Sequence, residues 1–348
     1  MTLPQTYLAA LLLMILGMLC WGSWANTFKI TGRWRFELFY FDYAIGVLAA
    51  ALIYALTFGS LGFDGFSFMD DLMHAGKRQW ALGFAGGVVF NLANMLLVAA
   101  ISVAGMAVAF PVGIGMALII GVVWNYLIRP QGNPILLFAG CGVIVAAIVV
   151  DALAYRALGI IRHEQLAKSG KAGSTMRRVS AKGIVLSLVS GVLMGCFYPL
   201  VMKGQEGEIG LGPYAIGAVF ALGVFASTFV FNLFFMNLPV EGPPIEILDY
   251  FRGRFQQHVM GILGGIIWYT GTISSFVAAS APEEVHVGPA VSYAIGQGAT
   301  MVSALWGLLV WKEFAGADTR VKSLVAIMLV LFACGLGLVS VAPLFARP

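Results

Sequence analysis

Apolar runs of about 20 residues recur along the whole chain, separated by short polar clusters. Ten segments can be marked from run length, at roughly 7–26, 40–60, 80–100, 105–128, 134–154, 183–203, 213–238, 258–280, 287–311 and 321–344. Runs of that length suit helices that cross a bilayer. A barrel would instead show alternating segments of about ten residues. The pattern predicts an all-α membrane protein with ten transmembrane helices. Pro134 and Pro213 stand where helix starts favour proline. The longest polar connection, 155–182, contains the flexible composition "SGKAGST" and lacks the spacing of a phosphate loop.

Two stretches match at a constant offset. "GFAGGVVFNLANMLLVAA" (83–100) aligns with "GILGGIIWYTGTISSFVA" (261–278), placing Gly83, Gly86 and Gly87 on Gly261, Gly264 and Gly265. The same offset puts Pro111 on Pro289 and Asp71 on Asp249. The reading is a duplication: a first five-helix repeat over 1–154, a cytoplasmic linker over 155–182 and a second five-helix repeat over 183–348. An odd number of helices per unit makes the repeats inverted, as in secondary transporters. "FSFMDDLMHAG" and "PIEILDYFRGRF" read as amphipathic surface helices before the matched segments.

Composition removes the soluble alternative. Of 348 residues, 60% are hydrophobic and 10% are charged, where soluble domains carry about 25% charged residues. Lys and Arg are unevenly placed. Fifteen gather on one side: Lys29, Arg33, Arg35, seven between Arg156 and Lys182, then Arg252, Arg254, Lys312, Arg320 and Lys322. Five stand on the other: Lys77, Arg78, Arg129, Lys203 and Arg347. The positive-inside rule then puts both termini outside and 155–182 in the cytoplasm of a multi-pass protein of the cell inner membrane. The N-terminus lacks the basic region of a secretory signal, so the first helix is read as retained. The four cysteines all lie in apolar segments and read as packing residues, and no Cys/His cluster has metal spacing.

Polar side chains at mid-membrane depth carry the functional signal. Asn91 and Asn94 share a helix face, and the offset matches them to Tyr269 and Thr272. Tyr293 and Gln297 follow Pro289, and Tyr198 lies in the sixth segment. The stretch "MLCWGSWANTFK" adds Trp21, Ser23, Trp24 and Asn26. Together these form the expected substrate-binding set, with Pro111, Gly113, Gly115 and Pro289 as hinges. Each could equally be a hydrogen bond between packed helices. No charged residue is near the middle of any segment. A phosphorylated solute would want buried Arg or Lys. Hydroxyls, amides and rings suit a small neutral polar solute. Asp42 and Asp151, near helix ends, are the proton-coupling candidates; an interfacial charge is the plainer reading of each. The four histidines form no pair suited to catalysis, so no enzyme, cofactor, metal or nucleic-acid partner is expected.

"YFDYAIGVLAAALIYALTFGSLG" (40–62) and "AGGVVFNLANMLLVAAISVAGMAVAFPVGIG" (85–115) resemble the ureide permease group of the drug/metabolite transporter superfamily and its bacterial relatives, which are related to glucose/ribose and rhamnose–proton uptake proteins. The resemblance implies a permease, proton-coupled or facilitative, for sugars or for ureides and nucleobases. The long central loop with a nucleotide-binding-like motif, known in the plant members, is missing here. The expectation is an uptake permease working by alternating access, with the lipid bilayer and a small solute as partners and a proton as an optional one. An exporter of the same superfamily and a membrane sensor are the alternatives.

Overall fold

The computed structural model describes residues 1–32, 34–62, 64–104, 106–168, 181–239, 243–285 and 287–345. In chain order the helices are α1 (Tyr7–Ser23), α2 (Ala25–Ile30), α3 (Phe36–Leu56), α4 (Phe68–His74), α5 (Lys77–Ala104), α6 (Met106–Ile128) and α7 (Pro134–Lys168). They continue as α8 (Ala181–Gly204), α9 (Pro213–Asn237), α10 (Leu248–Phe251), α11 (Phe255–Ala279), α12 (Pro289–Gly296), α13 (Ala299–Leu309) and α14 (Thr319–Val341). Local sequence explains several starts. Thr6 and Asp318 cap α1 and α14 by accepting from Ala9 N and Val321 N. Pro213 and Pro289 occupy the first turns of α9 and α12, where a missing N–H costs nothing.

The expectation of ten transmembrane helices in two inverted five-helix repeats is not met. Among the described residues, eight helices are long and apolar enough to cross a membrane. Two segments account for the difference. The apolar part of α6, Val112–Ile128, falls in the shorter class; at 1.5 Å per residue it spans roughly 25 Å, short of a hydrocarbon core of about 30 Å. The run predicted over 287–311 is broken at Gln297 and Gly298 into α12, of 8 residues, and α13, of 11. Hydropathy integrates over such a break and cannot see it. With eight helices the five-plus-five division lapses. A second difference is in α7, which continues as helix to Lys168, well past the predicted end at 154.

The bundle is held where helix backbones touch. A Cβ on Gly46 would lie 2.1 Å from the Ile262 carbonyl oxygen, so α3 and α11 cross with nothing between them. Gly87 makes the same kind of crossing for α5 and α9, 2.1 Å from the Phe220 carbonyl oxygen. Lipid offers helices no hydrophobic drive to associate, so close backbone packing has to supply it.

Contacts define two ends of the bundle. At one, Lys29 pairs with Glu313, Tyr155 donates to Glu313 Oε2 at 3.1 Å, and Gln257 donates to the Thr31 carbonyl at 3.3 Å. At the other, the Met1 ammonium donates to the Asp64 carbonyl at 2.8 Å, Tyr214 donates to the Thr2 carbonyl at 3.1 Å, and Gly212 N donates to Asp71 at 2.8 Å. These are called the Lys29 end and the Met1 end.

Candidate solute-binding cavity

Between these ends lies a cavity of about 390 Å³, within the roughly 300–1,000 Å³ usual for small-molecule sites. Its walls come from α1/α2, α3, α5, α6, α7, α8, α11, α12 and α13. The lining reaches Phe28, Phe36 and Tyr155 at the Lys29 end. Toward the Met1 end the helices are closed by fully buried Tyr198, Tyr269 and Phe276.

The cavity is built on an aromatic stack. Trp268 lies against Phe90 with centroids 4.4 Å apart and planes 27° from parallel, and against Trp21 at 6.5 Å and 20°. Offset stacking of this kind fixes flat surfaces. Trp21 is held further by its Nε1–H, which donates to Thr272 Oγ1 at 3.0 Å. Tyr293 is pinned by donation to the Met194 carbonyl at 3.1 Å. A Cβ on Gly121 would meet the Tyr293 ring at 2.2 Å, so the bare glycine is what leaves that ring its place.

The sequence-predicted site residues divide into two groups. Trp21, Trp24, Asn94, Tyr293, Gln297 and Asp151 line the cavity. The others are engaged in packing. Ser23 accepts from Trp306 Nε1 at 2.8 Å, and Asn26 accepts from Trp311 Nε1 at 2.6 Å. Asn91 donates to Ser227 Oγ at 2.8 Å and Thr228 Oγ1 at 3.1 Å and accepts from Tyr40 at 2.8 Å, which uses its whole amide. Tyr198 donates to Ser292 Oγ at 3.3 Å and to the Ser275 carbonyl at 3.1 Å. Thr272 serves Trp21. Tyr269 is 0% exposed, and its hydroxyl has no partner among the described residues. Of the hinge residues, Gly113 and Gly115 lie inside continuous α6, and Pro289 opens α12. Pro111 is also within α6, but its side chain lies outside the described residues.

Three features of the lining carry its chemistry. Asn94 donates to the Tyr40 hydroxyl at 3.0 Å while its amide also faces the cavity. The Gln297 carboxamide, at the break between α12 and α13, lines the cavity with no side-chain hydrogen bond among the described residues. Asp151 is 7% exposed, and its Oδ1 has no hydrogen-bond partner among the described residues. Asp42 is different: it lies outside the cavity, accepts from Tyr250 at 2.6 Å and pairs with His258 Nδ1 at 2.8 Å. Burial, and then the Asp42 carboxylate, raise the Tyr250 hydroxyl above the usual tyrosine range.

Sequence reasoning missed Trp268, Phe90, Thr300 and Ser303, all of which line the cavity. Phe and Trp inside apolar runs look like core or lipid-facing residues. The one available signal was the offset that matches Phe90 and Trp268 to each other.

Membrane-length helices surround an aromatic cavity with a few hydrogen-bonding groups, an arrangement suited to passing a small polar solute. Residues 39–187 match the family model described as Ureide permease. Over nearly their full lengths, the chain is similar to Ureide permease 1 of Arabidopsis thaliana, 23% identical over 97% of this chain and 96% of the relative. It is also similar to Ureide permease 4 of the same plant, 22% identical over 92% and 93%. A solved crystal structure shares the fold with a TM-score of 0.59 at 19% identity, covering 94% of this chain and 95% of the other. The chain is thus similar to the plant ureide permeases along nearly its whole length, at 22% to 23% identity.

Proposed function

We propose that the protein is a uniporter or symporter that carries a small neutral polar solute, a ureide, nucleobase or sugar, across the cell inner membrane by alternating access. The observation that carries this is a cavity reaching one end of the bundle while buried tyrosines fill the other. Rings of Trp21, Trp24 and Trp268 would stack on a flat solute. Asn94 and Gln297 would exchange hydrogen bonds with its N–H and C=O groups. The names of the plant relatives favour a ureide among the three.

The charge pattern supports a cytoplasmic Lys29 end and termini outside. In intact cells a cysteine at Glu206 should react with impermeant thiol reagents and one at Glu246 should resist; the reverse pattern inverts the orientation. The solute is tested by counterflow in proteoliposomes with labelled allantoin (a cyclic ureide), uracil and glucose. Exchange of at least one, with KM raised about tenfold by Asn94→Ala or Gln297→Ala, is expected, since one lost hydrogen bond to solute costs about 1–1.5 kcal/mol. Unaltered kinetics in both variants would displace the site.

A further inference from the structure

Asp151 and Asp42 both sit in membrane-spanning helices, and only one of them faces the cavity. We infer that Asp151 is the proton-binding residue that couples solute movement to a proton gradient. The inference rests on the permease reading and adds the coupling site to it.

Asp151 sits on α7 within the cavity wall, and 7% of its surface is exposed. Its Oδ1 has no hydrogen bond among the described residues. An ionised carboxylate in that position is tolerable only while water reaches it through the cavity. When the bundle closes on a solute, that water leaves. The walls around it are then mainly indole, phenyl and aliphatic groups, and the described lining residues include no Lys or Arg. Among the described residues the Glu313 carboxylate, a like charge, acts on Asp151, and Arg156 of the same helix is exposed. Glu313 is itself committed to Lys29 and to the Tyr155 hydroxyl. Helix α6, packed beside α7, carries no charged residue, and the charges of α14, Arg320 and Lys322, belong to its first turn. Closure around solute is therefore favoured when a proton from the aqueous phase binds Asp151. The proton leaves to the other side when the cavity opens there and water returns.

The geometry excludes Asp42 from this role. Both of its oxygens are engaged by Tyr250 and His258, and it does not line the cavity. Tyr155 lies one turn beyond Asp151, but its hydroxyl already donates to Glu313.

The test uses the full chain in proteoliposomes with labelled allantoin, uracil and glucose as probes, an internal pH dye and an imposed acid-outside gradient. The parent protein should accumulate its solute about tenfold for a difference of about one pH unit, as one proton per solute requires. Asp151→Asn should lose both accumulation and the inward proton signal, and the solute exchange it retains should no longer change with pH. Asp151→Glu should restore both. Three results overturn the proposal. Asp151→Asn could accumulate solute as the parent does. It could lose counterflow along with accumulation while Asp151→Glu keeps both, which would make Asp151 a direct ligand of the solute. The parent could exchange solute with no response to the gradient, which would leave a facilitative permease standing. If the parent exchanges none of the probes, the permease reading itself fails and the coupling site goes with it.

Discussion

Asp42 and Asp151 are both carboxylates in membrane-spanning helices, both nearly buried, at 2% and 7% exposure, and both near the Lys29 end. Their surroundings separate them. Asp42 joins three elements, accepting from Tyr250 of α10 and holding His258 of α11 against its own helix α3. Trp34 packs edge-on against His258 with centroids 4.8 Å apart and closes that cluster. Asp151 has an oxygen with no partner and a cavity in front of it. The same contrast appears within a single helix turn of α5, where Asn91 spends its amide on Ser227, Thr228 and Tyr40 while Asn94 keeps a face on the cavity. A polar residue in a membrane helix is thus read by its partners rather than its depth. One that is fully satisfied holds the bundle together; one left partly unsatisfied beside a cavity is available to a ligand.

Stability measurements can break that division. Asp42→Ala should show the largest loss, about 3 kcal/mol, because it leaves half-buried His258 and Tyr250 without their common partner. It would be read as a lowered thermal midpoint of the detergent-purified protein. Asn91→Ala comes next at about 2 kcal/mol, since Tyr40 and the α9 hydroxyls lose their common partner. Tyr250→Phe removes one hydrogen bond to a carboxylate and should cost about 1.5 kcal/mol. Asp151→Asn should cost nothing measurable or raise the midpoint slightly, because it removes a poorly compensated buried charge. If Asp151→Asn destabilised the protein as much as Asp42→Ala, the two carboxylates would not be different in kind.

Much of the bundle was legible in the sequence because hydropathy reports burial in lipid directly. The first segment, the helix starts at Pro134 and Pro213, and the short helices α4 and α10 all fall close to their predicted places. What escaped notice depended on three-dimensional partners. The break at Gln297 and Gly298 leaves the run apolar, so hydropathy counts one helix where there are two shorter ones. The extension of α7 to Lys168 is polar, and by composition it reads as a loop. The same reading sets Asp151 near a helix end, whereas it sits a turn before Tyr155 in the cavity wall.

The first segment shows the same limit for the site. Its polar residues signalled a function, but Ser23, Asn26 and Lys29 are engaged by Trp306, Trp311 and Glu313, a ladder that ties α1/α2 to α13 and the turn after it. Lys312 in that turn adopts φ 50°, a conformation uncommon for a residue other than glycine. Only Trp21 and Trp24 of the predicted residues in this segment reach the cavity. Trp268, which stacks on both Phe90 and Trp21, carried no polar signal at all.

The central claim is that the transported solute occupies this cavity. Ser303 is exposed on its wall and has no hydrogen-bond role among the described residues, so Ser303→Trp fills the space with little disturbance to packing. Counterflow of labelled allantoin, uracil and glucose in proteoliposomes should fall to background in this variant. The thermal midpoint should stay within about 2 °C of the parent, the shift expected from a change of under about 1 kcal/mol in a protein of this size. Exchange at the parent's rate with tryptophan at position 303 would contradict the account.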